Sequence, residues 1–145
     1  MQMGKTYNIE EAKTDDQVLL CWPVMKALRP HLEYSKYFEQ FKLIQKEGYK
    51  LMYIEEEGKV ASIMGYRIVN FFFSGKTFYV DDLCTLETNR GKGYGGALLE
   101  WGIEKAKSEN CKCFTLDSGY TRNDAHRLYL NKGLKLDSHH FHLNL

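Results

Sequence analysis

The stretch VDDLCTLETNRGKGYGGALLEW, residues 80–101, decides how this chain is read. It opens with strand-forming residues and passes through Arg90-Gly91-Lys92-Gly93-Tyr94-Gly95-Gly96. It then enters a segment in which Leu99, Gly102, Ile103 and Ala106 recur at helical spacing. Four glycines in seven positions, placed between a strand and a helix, exceed what a connecting turn needs. Glycine lets the backbone take positive φ and approach a ligand closely, so several N–H groups can converge on an anion at the positive end of the helix dipole. Arg90 and Lys92 add charge within reach of the same anion.

Upstream, residues 49–56, 58–73 and 76–86 are rich in β-branched and aromatic residues. Glu57-Gly58-Lys59 and Ser74-Gly75-Lys76 separate them, so they read as three strands joined by two hairpins. The N-terminal third reads as a strand over residues 7–12 followed by two helices. Thr14-Asp15-Asp16 starts the first helix, Pro23 kinks it or ends its first turn, and Pro30 closes the segment. Tyr34, Tyr37, Phe38, Phe41 and Ile44 mark the second, which ends at Gly48. Downstream, residues 111–117 read as a buried strand and 123–132 as a short helix capped by Asn123 or Asp124. A terminal strand runs from Leu134 towards Leu145. This order predicts an α/β (α+β) fold with a mixed, mainly antiparallel sheet flanked by helices, in one domain over residues 1–145.

Two other phosphate-binding loops compete for the glycine run. The Walker loop is excluded because Gly96 is followed by Ala97 and Leu98 rather than Lys and Ser or Thr. The dinucleotide fingerprint G-x-G-x-x-G is met literally by Gly91, Gly93 and Gly96, with Asp117 about twenty residues further on. That fingerprint opens the first unit of a parallel fold, whereas this loop follows an antiparallel meander with only 49 of 145 residues left after Gly96.

A formal net charge of +1, with lysines dispersed among glutamates, argues against a nucleic-acid partner. No apolar stretch approaches the roughly 20 residues of a membrane span, and the start MQMGKTYNIEEAK lacks a secretion-signal core, so the expectation is a cytoplasmic protein without membrane contact. Cys21, Cys84, Cys111 and Cys113 show no C-x-x-C spacing and read as reduced core thiols. His139, His140 and His142 have no acid or cysteine partner at a ligand spacing and read as surface strand histidines, so no metal is expected.

Arg90-x-x-Gly93-x-Gly95 matches the [RQ]-x-x-G-x-[GA] motif of the GNAT superfamily of N-acetyltransferases. The whole of residues 80–134 resembles that family's cofactor-binding half, and the resemblance is weaker before Tyr49. It implies acetyl-CoA as cosubstrate, an amine as acceptor and splayed central strands, here residues 80–86 and 111–117. Between them the pantetheine arm would lie on backbone groups of Leu83, Cys84 and Thr85, where an N–H would also steady the oxyanion. The pyrophosphate would sit on residues 90–96, that is Arg90, Gly91, Lys92, Gly93, Tyr94, Gly95 and Gly96. Homodimerisation is left open.

The resemblance also implies chemistry. Ala125 and Tyr129 fit the family's A-x-x-x-Y pattern, which makes Tyr129 the candidate acid for the departing thiolate; the other reading is a packing residue. Asp81 and Asp82 are the candidate bases, one on each side of a strand, with water as the alternative. Many members carry an asparagine seven residues before the tyrosine; Arg122 stands there, with Asn123 one step away, and both are candidate cofactor contacts. Two further readings are a non-catalytic acyl-CoA-binding module and a dinucleotide binder. Glu55, Glu56 and Glu57 read as a solvated turn, and the acceptor amine is not written in the motif.

Overall fold

In the computed structural model, residues 6–145 are described. The chain forms β1 (Glu10–Glu11), α1 (Asp15–Leu20), α2 (Trp22–Leu28), α3 (Tyr34–Lys46), β2 (Lys50–Glu56), β3 (Lys59–Phe71), β4 (Gly75–Thr85), α4 (Tyr94–Ser108), β5 (Cys113–Leu116) and α5 (Asn123–Asn131). The strands form one sheet in the order β1-β2-β3-β4-β5, antiparallel except for the β4–β5 pair. One parallel pair at the end of a meander is not the parallel sheet of a dinucleotide fold, which removes that reading of the glycines.

Local signals place most of these elements. Thr14 caps α1 with a full capping box, its hydroxyl accepting from the Gln17 N–H while Gln17 Oε1 accepts from the Thr14 N–H. Pro23 falls in the first turn of α2, so the expected kink is a break at Cys21 between two short helices. Glu57 and Gly58 turn the first hairpin with φ of 53° and 78°, both left-handed.

Both faces of the sheet are covered. Leu51, Tyr53 and Ile63 pack with Val18, Val24 and Phe41 from α1–α3, while Met52, Ile54, Met64 and Phe78 pack with Leu98 and Ala106 of α4 on the other face. This is the period-two alternation of a strand buried on both sides. Phe78 stacks between Tyr66 (4.3 Å) and Phe114 (5.0 Å), tying β3, β4 and β5 together under α4.

Four expectations need correction. The first strand is only Glu10–Glu11; Tyr7 and Ile9 instead pack into the α4-side cluster. Residues 134–145 form no strand, and Leu136, Phe141, Leu143 and Leu145 are exposed: an alternating pattern favours a strand without specifying a partner for it. The outer edge of β5 is therefore left without a sixth strand. Neither Asn123 nor Asp124 caps α5: Arg122 holds the cap position without a side-chain bond, and Asp124 pairs with Arg127 at 3.3 Å instead. Of the cysteines, only Cys21 is fully buried, its thiol pushed up to about 12 by burial first and then by Glu55. The β3–β4 turn also carries Phe72 and Phe73 fully exposed.

Candidate active site

The glycine loop is built for close approach. Gly91 and Gly93 adopt φ of 82° and 81°. Gly93 is the N-cap of α4 and offers no side chain, so the first N–H groups of that 15-residue helix have no side-chain cap. A side chain at Gly93 would meet the Tyr7 hydroxyl at 2.5 Å, and one at Gly95 would press on Leu128 at 3.3 Å. Glu56 anchors the loop from beneath: it accepts from Asn89 Nδ2 (2.6 Å) and the Tyr94 hydroxyl (3.0 Å) and pairs with the Lys92 ammonium. Lys92 first, then Asn89 and Tyr94, hold the Glu56 carboxyl below the usual range. The Tyr7 hydroxyl donates to the Lys92 carbonyl at 2.8 Å.

Two readings change accordingly. Glu56 is a half-buried anchor rather than part of a solvated turn, and the Lys92 ammonium is engaged by Glu56. An anion at this loop would meet uncapped backbone N–H groups and the exposed Arg90, without Gly95 or Gly96 in the way.

Beyond the loop, β4 and β5 separate. Their pairing runs from Thr77↔Cys113 to Val80↔Leu116 and stops, while β4 continues to Thr85 paired only with β3. Asp81 is the extra residue of a bulge, since Gly65 pairs with Asp82 and Tyr66 with Val80. Leu83, Cys84 and Thr85 thus lie on a run of strand whose β5 side has no strand partner, open to a peptide-like ligand. The mouth of this gap is a cavity of about 310 Å³ whose lining includes Arg29, Asp81, Leu83, Asp117, Arg122 and Tyr129.

The bulge decides where the paired aspartates go. Asp82 accepts from Arg29 Nε (3.0 Å) on one oxygen and from the Tyr49 hydroxyl (2.7 Å) on the other. Asp81 accepts from Arg67 Nε (3.2 Å) and Nη2 (2.7 Å), one bond per oxygen. Burial raises the Asp81 carboxyl although Arg67 pulls it back. A raised carboxyl suits a base, but both of its oxygens are occupied. Arg29 Nη2 also donates to the Asp81 carbonyl at 2.9 Å, so α2 is clamped to the bulge.

Tyr129, on α5, faces the cavity half-buried, and burial raises its phenol above the usual tyrosine value while Arg122 and a hydrogen bond with Ser118 pull it back. Ser118 in turn meets His126 Nε2 at 3.1 Å. Arg122 lines the cavity, whereas Asn123 opens α5 at an exposed position outside the lining. Sequence reasoning missed Arg29, whose partner lies 53 residues away, and Glu56 as an anchor. It also missed the bond from the Tyr79 hydroxyl to Asp117 (2.5 Å), which joins two residues 38 apart in the chain.

Comparison with known proteins agrees with this geometry. The profile of the acetyltransferase (GNAT) family matches residues 14–134. The chain is 31% identical over 122 residues to "Uncharacterized N-acetyltransferase YhdJ" of Bacillus subtilis (strain 168), covering 83% of this chain and 86% of that one. Among solved structures, a transcriptional regulator from Bacillus halodurans C-125 superposes with a TM-score of 0.85 at 21% identity, covering 97% of this chain and all of that one. AAC(6')-Iy in complex with the bisubstrate analog CoA-S-monomethyl-acetylneamine superposes with a TM-score of 0.77 at 12% identity, covering 95% and 98%. The family match and the relative named as an N-acetyltransferase make this chain an acetyltransferase enzyme. The chain belongs to the GNAT acetyltransferase family.

Proposed function

We propose that this enzyme moves the acetyl group of acetyl-CoA to a primary amine by direct attack in a ternary complex. The observation that carries the reading is the gap: past Val80, β4 keeps its pairing with β3 but has no strand on its β5 side, between the uncapped start of α4 and the cavity that holds Tyr129. The chain therefore has a backbone-lined slot joining an anion site to a proton donor. Acetyl-CoA supplies the acetyl thioester.

In this reading the N–H groups opening α4, with Gly91, Gly93, Gly95, Gly96 and Arg90, hold the pyrophosphate, and Lys92 and Tyr94 keep the loop rigid through Glu56. The backbone of Leu83, Cys84 and Thr85 bonds the pantetheine amides, and an N–H on this run faces the developing oxyanion. Arg122 lies at the cavity wall, suited to the cofactor's polar groups, with Asn123 beside it. The Tyr129 phenol, held protonated by its burial, gives its proton to the departing sulfur. Asp81 and Asp82 fix Arg67 and Arg29 around the bulge and shape the acceptor side of the cavity. Burial also keeps the Cys84 thiol protonated, against the pull of Arg122, Arg90 and Arg29, which favours direct attack over an acetyl-cysteine intermediate. The solved neighbour with a CoA-acetylneamine bisubstrate analog supports the same arrangement of two joined substrates.

The test is release of CoA thiol from acetyl-CoA across a panel of small amines, amino-acid derivatives and peptides. Intersecting initial-rate lines are expected for a ternary complex, and parallel lines would point to a covalent intermediate. Tight acetyl-CoA binding with no acceptor would leave a binding module instead.

A further inference from the structure

We propose that Asp117 at the end of β5 receives the acceptor ammonium and that His140, on the segment 134–145, carries its proton away, so that this segment completes the acetyl-transfer site. The inference rests on the acetyltransferase reading above. Three acidic residues stand at the gap. Both oxygens of Asp81 are bonded by Arg67, and those of Asp82 by Arg29 and Tyr49. Asp117 lines the cavity with Tyr129 and meets no Lys or Arg among the described residues. Its Oδ2 accepts from the Tyr79 hydroxyl at 2.5 Å and lies 3.8 Å from His140 Nδ1. Tyr79 thereby fixes the carboxylate, and its other oxygen makes no hydrogen bond among those described.

His140 reaches Asp117 because residues 134–145 do not pair as a strand. Tyr120 steadies the approach, its hydroxyl 3.4 Å from His139 Nδ1. The side chain of His140 is 63% exposed, so a proton taken there passes to water. Imidazole is the neutral side-chain base that works near physiological pH, which a carboxylate alone does poorly against an ammonium. The groups around the pair are Tyr79 from β4, Tyr120 and His139 beside it, Arg122 at the same cavity, and His142, whose ring centre is 6.3 Å from that of His140.

The proton balance closes. One ammonium proton moves to Asp117, then to His140 and solvent, and Asp117 returns to the carboxylate. The free amine forms the C–N bond as the C–S bond breaks. Tyr129 protonates the sulfur and recovers a proton as the nitrogen loses its second, so one proton is released per turnover.

The experiment measures kcat, acetyl-CoA Kd and thermal midpoint for Asp117→Asn, His140→Gln, His140→Ala and the control His142→Gln, with the best amine from the panel. Expected are a fall in kcat of about 10²-fold for Asp117→Asn and about 10-fold for both His140 variants, with unchanged Kd and midpoint. The dependence of kcat on pH differs between wild type and His140→Gln. Added imidazole restores His140→Ala, and His142→Gln behaves as wild type. Turnover of His140→Ala within twofold of wild type, a raised Kd, or no recovery with imidazole overturns the inference alone. Absence of turnover by the wild type with every amine overturns the acetyltransferase reading and this inference together.

Discussion

Tyr49 occupies the space that a side chain at Gly65 would need: a methyl there would lie 1.8 Å from the Tyr49 oxygen and 2.3 Å from its Cζ. Only over that bare backbone does the phenol reach Asp82, at 2.7 Å. Gly65→Ala should therefore expel a fully buried ring and cut the bond to Asp82, lowering stability by about 3 kcal/mol. Urea unfolding measures it, and a loss under 1 kcal/mol would mean that Tyr49 has a second seat.

At the glycine loop, Gly93→Val combines a left-handed backbone with a clash against Tyr7, and Gly95→Val presses on Leu128. Each should weaken acetyl-CoA binding by well over tenfold, roughly the loss of charged hydrogen bonds at about 1.5–3 kcal/mol each. Calorimetric titration of the folded variants checks this. In the same assay acetyl-CoA should bind where NAD does not; the opposite preference would return the loop to the dinucleotide reading.

Tyr129→Phe removes one oxygen and should leave acetyl-CoA affinity unchanged while kcat falls about 10²-fold. Burial keeps the phenol protonated above the ordinary tyrosine value, so the wild-type rate should decline only as pH rises past that raised value. Full turnover in the variant would make Tyr129 a packing residue.

Glu56 links the loop to acid stability. Its carboxyl is depressed in the folded state, chiefly by Lys92, so its contribution is present above the unfolded glutamate value near 4.3 and is lost as pH falls through the lower folded one. Glu56→Gln should flatten that part of the melting profile below about pH 4.3 and raise the acetyl-CoA Kd several-fold. Thermal midpoints from pH 2 to 7 give the answer, and identical profiles would remove Glu56 as the anchor.

What the sequence disclosed is what short-range chemistry encodes. Thr14 and Gln17 lie three residues apart, Glu57 and Gly58 are adjacent, and the glycines fall within one loop, so their roles need no knowledge of the rest of the chain. The bulge at Asp81 left no such mark, because it exists only through the register with Gly65 and Tyr66 on β3. For the same reason Arg29 was silent: a guanidinium before a proline says nothing of a carboxylate 53 residues ahead. The segment 134–145 misled in the opposite sense, since alternation states a preference for a sheet and does not make the segment pair with the edge that β5 leaves open.

The run of β4 beyond Val80 has a cost unrelated to catalysis, for a strand side without a partner is a template on which foreign chains can polymerise. Asp81 and Asp82 sit at the start of that run, the bulge bends it, and Arg29 and Arg67 crowd its entrance with charge. A flexible ligand can thread such an entrance while a second rigid sheet edge cannot align with it. The bulge and the arginine-clamped acidic pair are the kinds of feature, an irregular backbone and charge at the edge, that make an open strand side a poor template for a second sheet.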